Sequence, residues 1–245
     1  MKTYSFAPIG EIQTCFKERF GTPRQPGLAP SSWGILRLRP ELNLADALHG
    51  LEGFSHVWLI FVFHQNTNKG IKTKVHPPRL LGEKIGLFAT RTPHRPNPIG
   101  LSVVKLEKID GNEIYLSGVD LIDGTPILDI KPYLPQADSI SEAKLGWTSS
   151  RPERTISVEF TSEALKQYKD CAGSNAEKLM QMTKEILELD PRPNFYKGSS
   201  DHPNPYTDTY GFCLEDFNVV YKMINDVAIV TSISKERPEG VHSAR

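Results

Sequence analysis

The chain has 245 residues, 38% of them hydrophobic and 24% charged, and its 29 Lys and Arg balance its 29 Asp and Glu. That length holds one large domain or a larger and a smaller one, and the composition is that of a soluble globular protein. Zero net charge argues against nonspecific coating of nucleic acid but permits a local basic patch, and the cysteines Cys15, Cys171 and Cys213, far apart and without a CxxC pair, indicate neither a disulfide framework nor a zinc site and suit a reducing, cytoplasmic setting.

The N-terminus is polar and interrupted by Pro8, unlike a secretory signal. Residues 4–16 and 34–38 are expected as strands, with a short helix at 45–50 capped by Asn43. Residues 54–63, rich in aromatic and β-branched side chains, predict a fully buried strand, and their apolar run is too short to span a bilayer. Residues 85–90 are strand-like. Residues 101–109 and 113–119 flank Asp110-Gly111-Asn112, a hairpin signal. Asp123-Gly124 marks a turn before a strand at 127–130. Many strands without regular helical spacers predict a barrel or a sandwich, not a doubly wound sheet.

From Pro132 to Arg154 the chain is polar and reads as a linker. Residues 162–171 and 175–189 are then helical, the second with apolar spacing at Leu179, Met182, Ile186 and Leu189, and Asp190-Pro191-Arg192-Pro193 stops it. Residues 217–223 and 227–233 read as a hairpin about Asn225-Asp226, and the tail from Lys235 is expected to fray.

Familiar enzyme signatures are absent: no GxG, no phosphate loop, no HExxH and no GxSxG. His64, His76 and His94 fit no metal-ligand spacing. What stands out is stiff polar loops. Arg91 to Leu101 carries Pro93, Pro96 and Pro98 at close intervals, with Arg91, His94, Arg95 and Asn97 between and around them. Proline fixes φ and restricts its predecessor, so this run is no helix and loses little entropy on binding a ligand. Pro23-Arg24-Gln25-Pro26-Gly27 is a second such loop, with a cation for a carboxylate and an amide for a base edge. His64-Gln65 closes the apolar strand. Asp129 and Lys131, two apart, share a face if their strand continues. Arg192, Phe195, Tyr196 and Lys197 combine phosphate-holding cations with rings that can stack on a base. Each has a plainer alternative: a rigid crossover, a sheet-edge cap, a surface ion pair, a helix stop.

Together PRQPG (23–27), FSHVWLIFVFHQ (54–65), FATRTPHRPNPIGLS (88–102), DGTPILDIKPYLP (123–135) and DPRPNFYKG (190–198) resemble the TsaA/TrmO family of S-adenosylmethionine-dependent tRNA methyltransferases, over nearly the whole chain. The resemblance implies a mainly β protein: a non-Rossmann β-barrel at 1–137 that binds the cofactor, a linker at 138–154, and a small α+β domain at 155–245 that meets tRNA. It implies methylation of N6 in N6-threonylcarbamoyladenosine (t6A) at position 37, beside the anticodon, of threonine tRNA, by a homodimer with its cofactor near the subunit interface. By motif match the cofactor contacts are Pro23, Arg24, Gln25, His64, Gln65, Arg91, Leu101, Asp123, Gly124, Thr125 and Pro126. No metal and no membrane are implied, and Pro93-His94 departs from the family pattern, leaving His94 without a role. Methyl transfer needs the N6 proton removed or the resulting charge stabilised. Asp129 is the candidate base, Lys131 and Arg192 the candidate stabilisers. Arg95, Arg192, Tyr196 and Lys197 are the candidate tRNA contacts. The rival reading is a noncatalytic module that binds S-adenosylmethionine or tRNA.

Overall fold

The computed structural model describes residues 2–66, 70–80, 82–149, 155–192 and 209–236. The first strands in chain order are β1 (Gly10–Thr14), β2 (Trp33–Leu38), β3 (His56–Val62), β4 (Lys74–Val75) and β5 (Ile85–Gly86). They are followed by β6 (Ile99–Asp110), β7 (Glu113–Ser117) and β8 (Thr125–Pro132). Six of these close a barrel in the order β1-β2-β7-β6-β3-β8, every neighbour antiparallel, while β4 and β5 pair with each other outside it.

The barrel follows from a period of two. In β3, Val57, Leu59 and Phe61 point inward and are buried, whereas His56, Trp58, Ile60 and Val62 are half-buried on the outer wall. The expected fully buried strand is therefore buried on one face only, because a closed sheet has its core on one side. In β6 the inward row is Gly100, Ser102, Val104 and Leu106. A Cβ on Gly100 would stand 2.3 Å from ring carbons of Phe61, so glycine here lets that ring fill the barrel interior.

Local expectations were corrected at four places. Only Gly10–Thr14 of the segment 4–16 is strand, because only that stretch finds partners, in β2 and β8. The helix expected at 45–50 is a 3₁₀ turn, Ala45–Leu48, preceded by Leu44. Asn43 does not cap it: Asn43 is left-handed and ends the preceding turn Pro40–Leu42. The strand-like run 85–90 yields two strand residues and then a 3₁₀ turn, Leu87–Ala89. A short helix, α1 (Pro135–Asp138), follows the barrel.

Past the 3₁₀ turn Gly146–Thr148, the C-terminal unit holds β9 (Ser157–Phe160), α2 (Ser162–Ala172), α3 (Ala176–Glu188), β10 (Thr209–Leu214), β11 (Phe217–Ile224) and β12 (Val227–Ser234). Its sheet runs β10-β11-β12-β9, with β9 parallel to β12. Thr161 caps α2 by accepting from Ala164 N at 3.1 Å. Leu179, Met182 and Ile186 of α3 are buried as its spacing predicts. Ile224 pairs with Val227 around Asn225 and Asp226, both at positive φ, the left-handed pair a two-residue hairpin requires.

The C-terminal unit grips the loop between β1 and β2. Phe16 bridges to Leu214, and Glu215 N donates to Cys15 O at 2.7 Å. Cys213 N donates to Glu18 Oε1 at 2.8 Å, and Ser31 donates through both N and Oγ to Glu185, each at 2.8 Å. The rings of Phe20 and Phe212 meet edge to face, 6.3 Å between centroids. No helix among the described residues is long and apolar enough to cross a membrane.

Candidate cofactor and tRNA site at the barrel rim

In an antiparallel barrel every second connection leaves from the same end. The connections β1–β2 (15–32), β3–β6 (63–98) and β7–β8 (118–124) share one rim. Pro23, Arg24 and Gln25 stand on the first of these. His64, Gln65, Arg91 and Arg95 stand on the second. Asp123 and Gly124 stand on the third, and Thr125 and Pro126 open β8 directly after it. Motifs spread over a hundred residues of chain thus arrive at one end of the barrel.

Specific contacts hold the loops together. Arg91 Nη1 donates to Gln25 Oε1 at 2.7 Å, and Arg19 Nη2 donates to the carbonyl of Gln65. Gly27 N donates to Gly118 O at 2.9 Å. Gly118 has φ 67°, and a Cβ there would meet the Gly27 Cα at 3.4 Å, so two loop backbones approach where neither carries a side chain. Thr14 N donates to Asp123 Oδ1 at 2.8 Å, while Lys17 Nζ pairs with Asp123 Oδ2 at 3.0 Å. These contacts fix the 123–126 turn. Phe63 N to Pro98 O, at 2.7 Å, closes the neck of the long loop.

His94, without a role from sequence, bonds through Nδ1 to Asn66 Oδ1 at 3.1 Å, and Asn66 Nδ2 donates to Pro93 O at 3.0 Å. Burial, then the charges of Arg19 and Lys72, lower the His94 pKa. This histidine therefore helps tie the proline-rich run to Asn66, near the start of the β3–β6 connection. Arg95 donates to Thr90 O at 2.9 Å and lies over the exposed ring of Phe88, 5.6 Å from its centroid. The segment expected as a plain linker crosses the same loop: Trp147 Nε1 donates to Ala89 O at 2.9 Å, and Arg79 stacks on the Trp147 indole.

Other candidates lie elsewhere. Leu101 is on the outer wall, 55% exposed, paired with Ile60, which pairs in turn with Asp129. Asp129 and Lys131 share that face and bond to each other, Nζ to Oδ2 at 2.9 Å. Arg192 is in the C-terminal core, not at the rim: it is 7% exposed and holds Asp190 through Nε at 2.7 Å and Nη2 at 3.1 Å. Tyr196 and Lys197 lie outside the described residues. A cleft of about 860 Å³ opens against the outer wall, lined among others by Trp33, Ile35, Val103, Tyr115 and Lys178, none of them singled out by sequence. Among the described residues no group of three or more His, Cys, Asp and Glu is arranged to hold a metal ion.

One rim residue was missed. Asp120 sits between buried Val119 and Leu121, and its Oδ1 is buried with no hydrogen-bond partner among the described residues. Burial pushes its carboxyl up to about 6, opposed by the Ser102 hydroxyl, its own backbone and the charge of Arg91. A single aspartate between two apolar residues has no motif to mark it. The set now holds cations, an unsatisfied carboxyl and fixed backbone turns, which suits a ligand with carboxylate, ammonium and purine parts such as S-adenosylmethionine.

Comparison with known proteins identifies the family. The family described as the tRNA-methyltransferase O N-terminal domain matches residues 11–139, and the TrmO C-terminal domain matches residues 153–236. A relative from Escherichia coli, named tRNA (adenine(37)-N6)-methyltransferase, is 42% identical over 228 residues, which is 91% of this chain and 94% of the relative. A relative from Pseudomonas aeruginosa, whose name places it among S-adenosylmethionine-dependent methyltransferases, is 44% identical over 218 residues, 89% of this chain and 91% of that one. The crystal structure of TrmO from Pseudomonas aeruginosa superposes with a TM-score of 0.77 at 37% identity, covering 95% of this chain and 99% of that one. The barrel, its appended α+β unit and both family matches lead to one conclusion: the chain belongs to the tRNA-methyltransferase O family.

Proposed function

We propose that this protein transfers a methyl group from S-adenosylmethionine to N6 of t6A at position 37 of threonine tRNA. Its family makes it an S-adenosylmethionine-dependent methyltransferase acting on adenine 37 of tRNA. The observation that carries the reading is the convergence of three loops on one barrel rim, each bringing one of the motifs.

The cofactor, when bound, supplies an electrophilic methyl group on a sulfonium. The chain's residues bind and orient. Arg91, fixed by Gln25, and Arg24 beside it offer charge-assisted bonds to a carboxylate. The turn Asp123 to Pro126 offers backbone groups to a purine edge, with His64 and Gln65 across the rim. The rim loops also carry Lys17, Arg19, Lys72, Lys74, Arg79, Lys84 and Arg95, a local basic field in a chain of zero net charge. Such a field draws in phosphates without depending on sequence.

Leu101, Asp129 and Lys131 lie on the outer wall beside the rim. A homodimer accommodates them, because a partner's rim laid against that wall buries exposed Ile99 and Leu101 and closes the site. Asp129 is then the candidate proton acceptor and Lys131 the candidate stabiliser of charge on the carbamoyl oxygen. In this reading residues 1–137 serve the cofactor, 138–154 connect, and 155–245 meet the tRNA with Tyr196 and Lys197. In this reading the protein works in the cytoplasm, the reducing setting that its scattered cysteines suit.

The test is mass spectrometry of tRNA nucleosides from cells with and without the protein, followed by methylation of purified tRNA. Loss of methylated t6A on deletion, with restoration in vitro only on t6A-bearing tRNA, is the expected result. Methylation of tRNA lacking t6A would sink the substrate assignment, and binding without methyl transfer would favour the noncatalytic reading.

A further inference from the structure

We propose that Asp120 is the anionic half of a receptor for a zwitterionic amino-acid group, taking the α-ammonium of the cofactor's methionine moiety while Arg91 takes its α-carboxylate. This rests on the S-adenosylmethionine reading of the rim.

The first support is an unmet valence. Asp120 Oδ1 is buried with no hydrogen-bond partner among the described residues, and the one side chain whose hydroxyl bears on this carboxyl is the uncharged Ser102. A buried carboxylate oxygen without a donor is costly, and native proteins rarely leave one unless a ligand, ion or water completes it.

The second is rigidity. Asp120 cannot easily swing away, because the residues on each side are anchored through their carbonyls. Val119 O accepts from Ser32 Oγ, and Leu121 O accepts from Thr14 Oγ1, each at 2.9 Å. The β6–β7 register pairs Lys105 with Ser117. Continued past the strand end, that register sets Asp120 opposite Ser102, on the inward row of β6. The side chain is thus held at the lip of the barrel, at the third of the three rim loops.

The third is charge arrangement. Arg91 and Asp120 stand on two of the three loops that share the rim, and the charge of Arg91 bears on the Asp120 carboxyl. Arg91 directs Nη1 to Gln25. An anion and a cation presented from two loops of one rim match a group carrying both charges on one carbon. An α-amino acid is such a group. The threonyl part of t6A is not, because its nitrogen is acylated in the urea and only its carboxylate is charged. A phosphate is not, because Asp120 repels it. Asp120 therefore selects the methionine end of the cofactor over the other anions that a basic rim attracts.

Calorimetry on the full chain tests this with three nucleosides: S-adenosylhomocysteine, its analogue lacking the α-amine, and 5′-methylthioadenosine, which lacks the whole amino-acid group. Wild-type protein should bind S-adenosylhomocysteine about 10- to 100-fold more tightly than the desamino analogue, the size of one charge-assisted contact. In Asp120→Asn that preference should fall to within about 2-fold, an expectation drawn from the same contact. Affinity for 5′-methylthioadenosine should stay unchanged. Equal binding of the amine and desamino ligands by the wild type overturns the assignment without any variant, so a poorly folding Asp120→Asn does not shield it. Equal loss of all three ligands in a folded Asp120→Asn overturns it too. Wild-type protein that binds none of the three overturns the cofactor reading and the assignment together.

Discussion

The indole Nε1 of Trp33, the first residue of β2, donates to the carboxylate of Glu215, in the β10–β11 turn, at 2.6 Å. The bond joins the C-terminal unit to the barrel beside the loop that carries Pro23, Arg24 and Gln25. With Glu18 and Ser31 also bonded to that unit, the loop is clamped near both ends and its middle is left for a ligand. The C-terminal unit therefore fixes both ends of the loop that carries Pro23, Arg24 and Gln25.

Glu215→Ala should leave the Trp33 indole unpaired and cost about 1–3 kcal/mol. Thermal denaturation gives the stability, and amide hydrogen exchange gives the locus. Faster exchange in residues 15–32 is the expected outcome. Unchanged exchange there, with a lower Tm, would leave Glu215 as a stability contact alone.

Arg91→Ala removes an exposed side chain whose protein partner is Gln25, and leaves the loop's prolines intact. The expected loss of S-adenosylmethionine affinity is roughly 10- to 100-fold, with Tm nearly unchanged. Calorimetry and a melting curve on one preparation decide it, and unaltered affinity would take Arg91 off the site.

Arg192→Ala removes the two hydrogen bonds that the guanidinium makes to the Asp190 carboxylate in the C-terminal core, where both side chains are largely hidden from solvent. Breaking such a pair on one side costs about 3–5 kcal/mol. Chemical denaturation should show this loss, and the remaining folded protein should bind cofactor normally. A variant of native stability whose tRNA affinity has lost salt dependence would restore Arg192 to the RNA surface.

Asp120 links stability to pH with a definite sign. Its carboxyl titrates near 6 in the folded chain, above the ordinary 3.8. The folded state therefore favours the protonated form. That advantage is complete below about pH 3.8, fades as pH rises through about 6, and leaves a buried charge at higher pH. Asp120→Asn should thus raise the unfolding free energy at pH 8, by an amount on the order of 1–3 kcal/mol, and change it little at pH 4. Urea titrations at the two pH values measure the difference. A gain equal at both would mean that the charge is not the cause.

Cysteine chemistry gives a check on the docked interface. Burial pushes the Cys15 thiol up to about 12, whereas Cys171 is exposed. Iodoacetamide at pH 8 should label Cys171 in the native protein and Cys15 only in denaturant, because the thiolate is the nucleophile. Peptide mass mapping reads both sites, and native labelling of Cys15 would show the Phe16–Leu214 bridge to be open.

The sequence by itself determined what is local or strictly periodic. The strand character of residues 56–62, the Asp110-Gly111-Asn112 hairpin and the apolar stripe of α3 are properties of neighbouring residues, and each was legible, whereas the one-sided burial of β3 was not, because only barrel closure gives its outer face to solvent. The motifs that resemble the family were legible for the same reason. Tertiary structure alone decided which residues meet. Barrel closure brings loops from 15–32, 63–98 and 118–124 to one rim, and no pattern along the chain encodes that proximity. The short strands β9 and β10 were missed because their strand character comes from a neighbouring strand, not from their own four and six residues. Arg192 looks like a free cation in sequence and is an ion-pair partner in the fold, because Asp190 turns back toward it at φ 45°. Asp120, one acid between two apolar residues, carries no signal at all. Its orphaned Oδ1 and its place on the rim exist only once the barrel is closed.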